Sequence, residues 1–273
     1  MGPGRALEIG MTGRRYVALA AVASALATAL PAFAAEPRAV VELFTSQGCS
    51  SCPPADKLLG DLAQDPTLIP LTLAIDYWDY LGWKDTLALG GHSSRQKAYS
   101  RTRGDRDVYT PQVVVNGTVQ ALGSDRDAIE HAIAQSRHNP TTLSVPVTLT
   151  IANGHLTATA HATEGEVASA EVWLCPVTKT VEVSIGRGEN SGHTYTYHNV
   201  VRRWVKLGAW SGKTESWSIP LADFKANGVD AVAVLIQDGV AAAPTAIVGA
   251  ALIPLDQTAV LAAPRTALTL LVC

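Results

Sequence analysis

Charge is scarce in this sequence, and nowhere is it gathered. Charged side chains make up 16% of the 273 residues, 21 basic against 24 acidic, for a formal net charge of −3. No run of like charges appears. A chain that grips nucleic acid shows a basic patch or stripe, so no nucleic-acid partner is expected. Cysteine is scarce as well: there are four, Cys49, Cys52, Cys175 and Cys273, too few for a scaffold built on disulfides. No G-x-G-x-x-G or P-loop pattern occurs, so no nucleotide or flavin cofactor is implied. Internal repeats and low-complexity segments are also missing. What is plentiful is apolar material, 47% of the chain, enough for a folded core.

The first 35 residues differ from the rest. Arg14 and Arg15 precede an apolar, alanine-rich run from Tyr16 to Leu30, and Pro31-Ala32-Phe33-Ala34-Ala35 follows. A positive flank, a short apolar run and a small-x-small site describe a secretory signal peptide at 1–35. The run is too short to read as a membrane span, so no stable span is expected after cleavage behind Ala34 or Ala35. Met11 is an alternative start, and Arg14-Arg15 permits a twin-arginine route beside the general one. The expected location is the bacterial periplasm or the exterior, an oxidising compartment.

Residues 38–139 read as β-α-β, a loop and helix, then β-β-α. Ala39–Phe44 is β-rich and ends in Thr45-Ser46-Gln47-Gly48. Leu58, Leu59 and Leu62 recur at helical spacing behind two prolines that suit a helix start. Ile69–Ile75 reads as a strand and Arg95–Arg101 as helix. Asn116-Gly117 between two β-rich runs predicts a hairpin. Ser124 is the expected cap of a last helix that Asn139-Pro140 ends. That order fits an α/β thioredoxin-like domain, a mixed sheet flanked by helices. From 142 to 255 short strand candidates follow one another without a convincing helix, Val167–Cys175, Thr180–Ile185 and Asn199–Leu207 among them. They predict a small antiparallel all-β domain, with a tail at 256–273.

The sharpest chemical feature is Cys49-Ser50-Ser51-Cys52, directly after a strand and at a helix start. A helix N-terminus favours the thiolate, the reactive form of cysteine. Cys49, on the turn, is the expected nucleophile and Cys52 the resolving thiol. Three other readings stay open: half of a zinc site, which lacks a second C-x-x-C or H-x3-5-H in this domain; a soft-metal site for Cu(I) in a non-catalytic binding module; and an inert structural disulfide in a non-enzymatic secreted protein. Asp76, Asp79, Asp85 and His92 have no standard metal spacing and lie among tryptophans and tyrosines, which reads as a packed aromatic loop. Gly186–Gly192 reads as a flexible loop, with His193 and His198 on a polar strand face. Cys175 reads as a buried thiol and Cys273 as a terminal one.

The run Val41–Asp56 resembles the DUF1223 family of secreted, thioredoxin-like bacterial proteins. So do Asp76–Asp85, Tyr109–Gly117, Gly188-Glu189-Asn190 and Asn199–Arg202. The wider thioredoxin resemblance implies a cis Thr110–Pro111 bond facing the cysteines, with Pro111 shaping the site and Thr110 and Gly48 on the substrate side. It also implies that Glu42, which shares a strand face with Val40 and Phe44, helps move the resolving thiol's proton; a solvated Glu42 at a sheet edge is the alternative. The implied activity is thiol–disulfide exchange with protein thiols or disulfides, without a metal. No tryptophan precedes Cys49, and Ser50-Ser51 departs from the familiar central dipeptides, so the direction of electron flow is open.

Overall fold

The computed structural model describes residues 1–2, 37–163, 169–226 and 228–255. The expected signal peptide and cleavage site, the alternative start at Met11, the 256–273 tail and Cys273 therefore lie outside the described residues, apart from the first two positions.

β1 (Ala39–Thr45) is buried along its whole length. It pairs in parallel with β2 (Leu68–Ala74) across α1 (Pro53–Leu62), and antiparallel with β3 (Gln112–Val115). A short 3-10 turn at Asp79–Leu81 and α2 (Gly90–Arg103) lie between β2 and β3. α2 begins five residues earlier than its sequence suggests, because its first turn starts on Gly90-Gly91, residues of poor helix propensity. β3 turns into β4 (Val119–Leu122) through Asn116, Gly117 and Thr118; Asn116 and Gly117 are at positive φ, and Thr118 N donates to Val115 O at 3.0 Å across the turn. α3 (Arg126–Ser136) is capped by Asp125, whose carboxylate accepts from the Ala128 N–H at 3.0 Å; Ser124 does not cap it.

The C-terminal half divides in two. β5 (Val147–Ala152), β6 (His155–Ala160) and β10 (Glu215–Pro220) form a separate antiparallel sheet. β7 (Ala170–Ser184), β8 (Thr194–Val201), β9 (Val205–Trp210), β11 (Ala231–Val240) and β12 (Ala243–Pro254) instead extend the first sheet, in the order β12-β11-β7-β8-β2-β1-β3-β4, with β9 also on β7. The described sheet is thus continuous across residues 139–142. The junction is β8 on β2, bridged at the one pair Thr72 and Val200. Two side chains support it: Thr72 Oγ1 donates to the His198 carbonyl at 2.6 Å, and Asn199 Nδ2 donates to the Pro70 carbonyl at 2.9 Å.

β7 is one strand where the sequence predicts two. Proline normally breaks a ladder because it has no N–H. Pro176 sits where β7 changes partner, after the pairing of Ala170–Leu174 with β9 and before that of Val177–Ser184 with β8. Its carbonyl still accepts from Arg202 N at 2.9 Å. Conversely, the expected Asn199–Leu207 strand is broken between β8 and β9. The one helix of the C-terminal half among the described residues is a single turn, α4 (Leu221–Phe224).

Alternation along the strands sorts the core. Val41 and Leu43 face α1 and α3 with Leu58, Leu59, Ile129 and Ile133. On the same side of the sheet, Val172, Leu174, Val232 and Val234 meet Leu149, Leu156 and Ala158 of the three-stranded sheet. Val40, Phe44, Leu71, Leu73, Val177, Ala233 and Leu235 form the opposite face, which Tyr99 of α2 covers.

Glu42 lies on that second face. It is fully buried and ion-paired: Arg95 Nε donates to Oε1 at 2.7 Å and Tyr99 OH to Oε2 at 2.6 Å. Gln237 Nε2 donates to Tyr99 OH at 2.8 Å, and the Arg95 guanidinium stacks 4.2 Å from the Trp204 ring. The network ties β1, α2 and β11 together. Glu42 is therefore neither a solvated edge residue nor on the cysteine side of the sheet. Removing one partner of a buried pair leaves the other charge uncompensated, at about 3–5 kcal/mol. Glu42→Ala is expected to lose stability of that order in urea unfolding, while the alkylation rate of reduced Cys49, in the turn beyond the end of β1, stays as in the parent.

Candidate functional site

The site is built at the end of β1, where the chain turns into α1. Cys49 and Cys52 are joined by a disulfide, with Cα atoms 5.4 Å apart. The turn is held by its own backbone: Cys49 N donates to Ser46 O at 3.1 Å and Cys52 N to Cys49 O at 3.2 Å. Cys52 is the N-cap of α1, and Pro53 and Pro54 follow in the first turn, where a missing N–H costs nothing. Ser50 and Ser51 are exposed, whereas Cys49 is 4% exposed and Cys52 fully buried. The surface of this turn belongs to the serines, with Cys49 just beneath them.

The Thr110–Pro111 peptide bond is cis. Ser51 Oγ lies 3.4 Å from Cys49 Sγ and 3.5 Å from the Thr110 carbonyl, so the strand entering β3 faces the disulfide turn. Trp78 Nε1 donates to Thr110 Oγ1 at 2.7 Å. The same tryptophan covers Gly48: a Cβ there would sit 3.2 Å from Trp78 Cβ, a tight contact that glycine avoids. Gly48 is thus roofed over and is not on an open substrate side. Tyr80 stacks on Trp78 with ring centroids 6.1 Å apart and is 75% exposed, a large aromatic surface next to the disulfide.

Two loops grip the turn from outside. Gln47 N donates to Asp85 Oδ2 at 2.8 Å, while Gln47 Oε1 accepts from Trp83 Nε1 at 2.8 Å and Thr86 N at 3.2 Å. From the β7–β8 loop, the Asn190 amide donates to the carbonyls of Gln47 and Cys49, both at 2.9 Å. The loop that reads as flexible is therefore docked on the cysteine turn.

A residue without a role in the sequence reading stands behind the disulfide. Asp56 follows Cys52 by four positions, one turn along the same helix face. It is 3% exposed, and neither its carboxylate oxygens nor the neighbouring Thr45 hydroxyl makes a hydrogen bond of good geometry. Burial pushes its pKa up to about 8; the neighbouring Thr45 hydroxyl opposes that shift and the charge of Asp85 adds to it. Burial likewise pushes Asp85 up to about 6, against the N–H groups of Gln47 and Leu87. Asp56 also lines a groove of about 390 Å³ with Lys57, Gly60, Asp61, Tyr195 and His198. Gly60 opens that groove: a Cβ there would lie 2.6 Å from the His198 ring. The spacing Cys52-x3-Asp56 was visible in the sequence; its burial was not.

Of the expected site residues, the fold gathers Cys49, Cys52, Gly48, Thr110 and Pro111 at one end of the sheet and places Glu42 on its other face. Among the described residues no three His, Cys, Asp or Glu side chains form a metal-binding group. Asp76 instead accepts from Ser93, Asp79 from Asp85 N, and Asp85 from Gln47 N. His92 is buried, makes its Nδ1 contact with the Ala74 carbonyl at 2.8 Å, and is pushed down to about 4 by burial. Cys175 is a buried free thiol in the core on the Glu42 side.

The profile of a family described as "Protein of unknown function (DUF1223)" matches residues 40–237. The crystal structure of a protein from Agrobacterium tumefaciens is similar at 32% identity and a TM-score of 0.71, over 80% of this chain and 95% of that one. HBP35 of Porphyromonas gingivalis shares the fold at 15% identity and a TM-score of 0.56, over 88% of this chain and 81% of its own. Among curated proteins, none matches.

The raised Asp56 pKa has a consequence for stability. Folded protein keeps a proton that the unfolded chain releases from about pH 4, so stability falls as pH rises from about 4 to about 8. Asp85 acts in the same direction only up to about pH 6. His92, held neutral, acts oppositely and only up to about pH 6.5. Between about pH 6.5 and 8, Asp56 is the one of these three still titrating. Asp56→Asn is expected to flatten the decline of unfolding free energy in that window and to exceed the parent's stability at pH 8.5. Urea unfolding at pH 6.5, 7.5 and 8.5 checks this, and an unchanged slope in the variant would refute it.

Proposed function

The chain belongs to the DUF1223 family, and we propose that it is an exported, thioredoxin-like thiol–disulfide oxidoreductase whose working pair is Cys49 and Cys52. The observation that carries the reading is Asp56. A structural staple gains nothing from a buried carboxyl without a partner one turn behind it, and such a group lowers stability. A resolving thiol does need a proton donor and acceptor that titrates near neutral pH.

The chemistry balances as follows. A thiolate of a substrate dithiol attacks Cys49 Sγ; the Cys49–Cys52 bond breaks, and Cys52 leaves with the electron pair. Protonated Asp56 supplies the proton to Cys52 Sγ. The second substrate thiolate then attacks the substrate sulfur of the mixed disulfide and expels Cys49 as a thiolate, which the N-terminus of α1 stabilises. The substrate leaves as a disulfide, and two electrons remain on the pair. Reduction of a substrate disulfide is the reverse, with ionised Asp56 taking the Cys52 proton. Pro111 and Thr110 shape the face opposite Cys49, and the Trp78–Tyr80 shelf offers apolar contact to a protein substrate. The basic-flanked, apolar first 35 residues support a periplasmic or secreted location.

Two outcomes are expected with a peptide dithiol as substrate. Tyr80→Ala raises KM several-fold with kcat little changed, because Tyr80 is exposed on the Trp78 ring and touches neither cysteine. Asp56→Asn lowers kcat by about 10- to 100-fold, within the range for general acid–base groups, and abolishes its dependence on a group titrating near pH 8. Stopped-flow exchange kinetics from pH 6 to 9 measure both. Parent-like rates in Asp56→Asn would remove Asp56 from the mechanism.

A further inference from the structure

We propose that Asn190 is a positioning residue for the Cys49–Cys52 pair, so that the β7–β8 loop is part of the redox site and sets its potential. This rests on the oxidoreductase reading of that pair.

The loop has the form of a device with one working side chain. Gly186 to Glu189 and Ser191 to Thr194 are exposed, while Asn190 between them is 6% exposed and points at the cysteine turn. The loop is held in shape before it reaches the turn. Gly192 N donates to Ile185 O at 2.8 Å, Ser191 N to Gly188 O at 3.2 Å, and Ser191 Oγ to Gly186 O at 3.1 Å. Gly188 and Gly192 are at positive φ. Trp83 lies beneath it, 3.2 Å from where a Gly186 Cβ would be, and the same ring donates to Gln47 Oε1.

The chemistry at the tip suits asparagine. Its amide nitrogen offers two donors and no charge. Both go to carbonyls of the turn that carries Cys49. An ionised aspartate would present only acceptors to those carbonyls, and alanine would leave the Gln47 carbonyl buried without this donor. In the disulfide form the S–S bond itself holds Cys49 near Cys52. On reduction that bond is gone, and the backbone anchors alone keep Cys49 at the N-terminal end of α1, where its thiolate is favoured. Asn190 thereby stabilises the reduced form more than the oxidised form, which makes the pair more oxidising.

The test equilibrates the full mature chain with glutathione redox buffers and follows the pH profile of Cys49 alkylation. It uses the parent, Asn190→Ala, Asn190→Ser, and Ser191→Ala as a control that perturbs the same loop without touching the turn. Asn190→Ala is expected to shift the equilibrium toward the disulfide by about tenfold, equal to about 30 mV more negative. Its alkylation pKa rises and its rate at pH 7 falls. Asn190→Ser, with one donor left, falls between, and it carries the test if the alanine variant does not fold. Ser191→Ala stays within about twofold of the parent. An Asn190 variant that is folded and matches the parent in both readouts overturns the proposal while leaving the oxidoreductase reading intact. A parent pair that does not exchange with glutathione overturns that reading, and this proposal with it.

Discussion

The arrangement at the disulfide depends on one short junction, the contact of β8 with β2. Only Thr72 and Val200 pair there in register. The Thr72 hydroxyl and the Asn199 amide add two hydrogen bonds across it. Through this seam the C-terminal strands become part of the same sheet as the cysteine strand. The β7–β8 loop then projects from the sheet end where β1 turns into α1. Without the seam, Asn190 would have no fixed relation to a turn more than 140 residues earlier in the chain. The C-terminal strands thus support one side of the site.

The two faces of β1 have separate duties. Val41 and Leu43 anchor α1, which carries Cys52 and Asp56. Val40, Glu42 and Phe44 anchor the other face, where Glu42 is spent on a closed ion pair with Arg95. Glu42 is a fully buried carboxylate closed in an ion pair, whereas Asp56 is a buried carboxylate without one. The two lie on opposite sides of the sheet.

Much of this was legible in the sequence because it is local. The β1–turn–α1 order, the Asn116-Gly117 hairpin and the end of α3 follow from turn residues and apolar spacing. The disulfide follows from two cysteines three positions apart at a helix start. What was not legible depends on distant partners. Val167–Cys175 and Thr180–Ile185 read as two strands because the successive partners of β7, β9 and β8, are invisible in the sequence. Glu42 has the right strand face read from alternation, but which helix covers that face is a tertiary fact. Asn190 sits in a polar, glycine-rich run whose composition says loop, while its two acceptors lie 143 and 141 positions away. Asp56 lies in a first helical turn, a place where carboxylates are common; only the fold shows that it is buried.

The measurement that tests the central claim most directly is the reduction potential of the Cys49–Cys52 pair in the mature protein. A working oxidoreductase pair predicts a value between about −120 and −270 mV, the span of known exchange catalysts. A value below about −300 mV, where structural disulfides resist reduction, would contradict it and make the bond a staple.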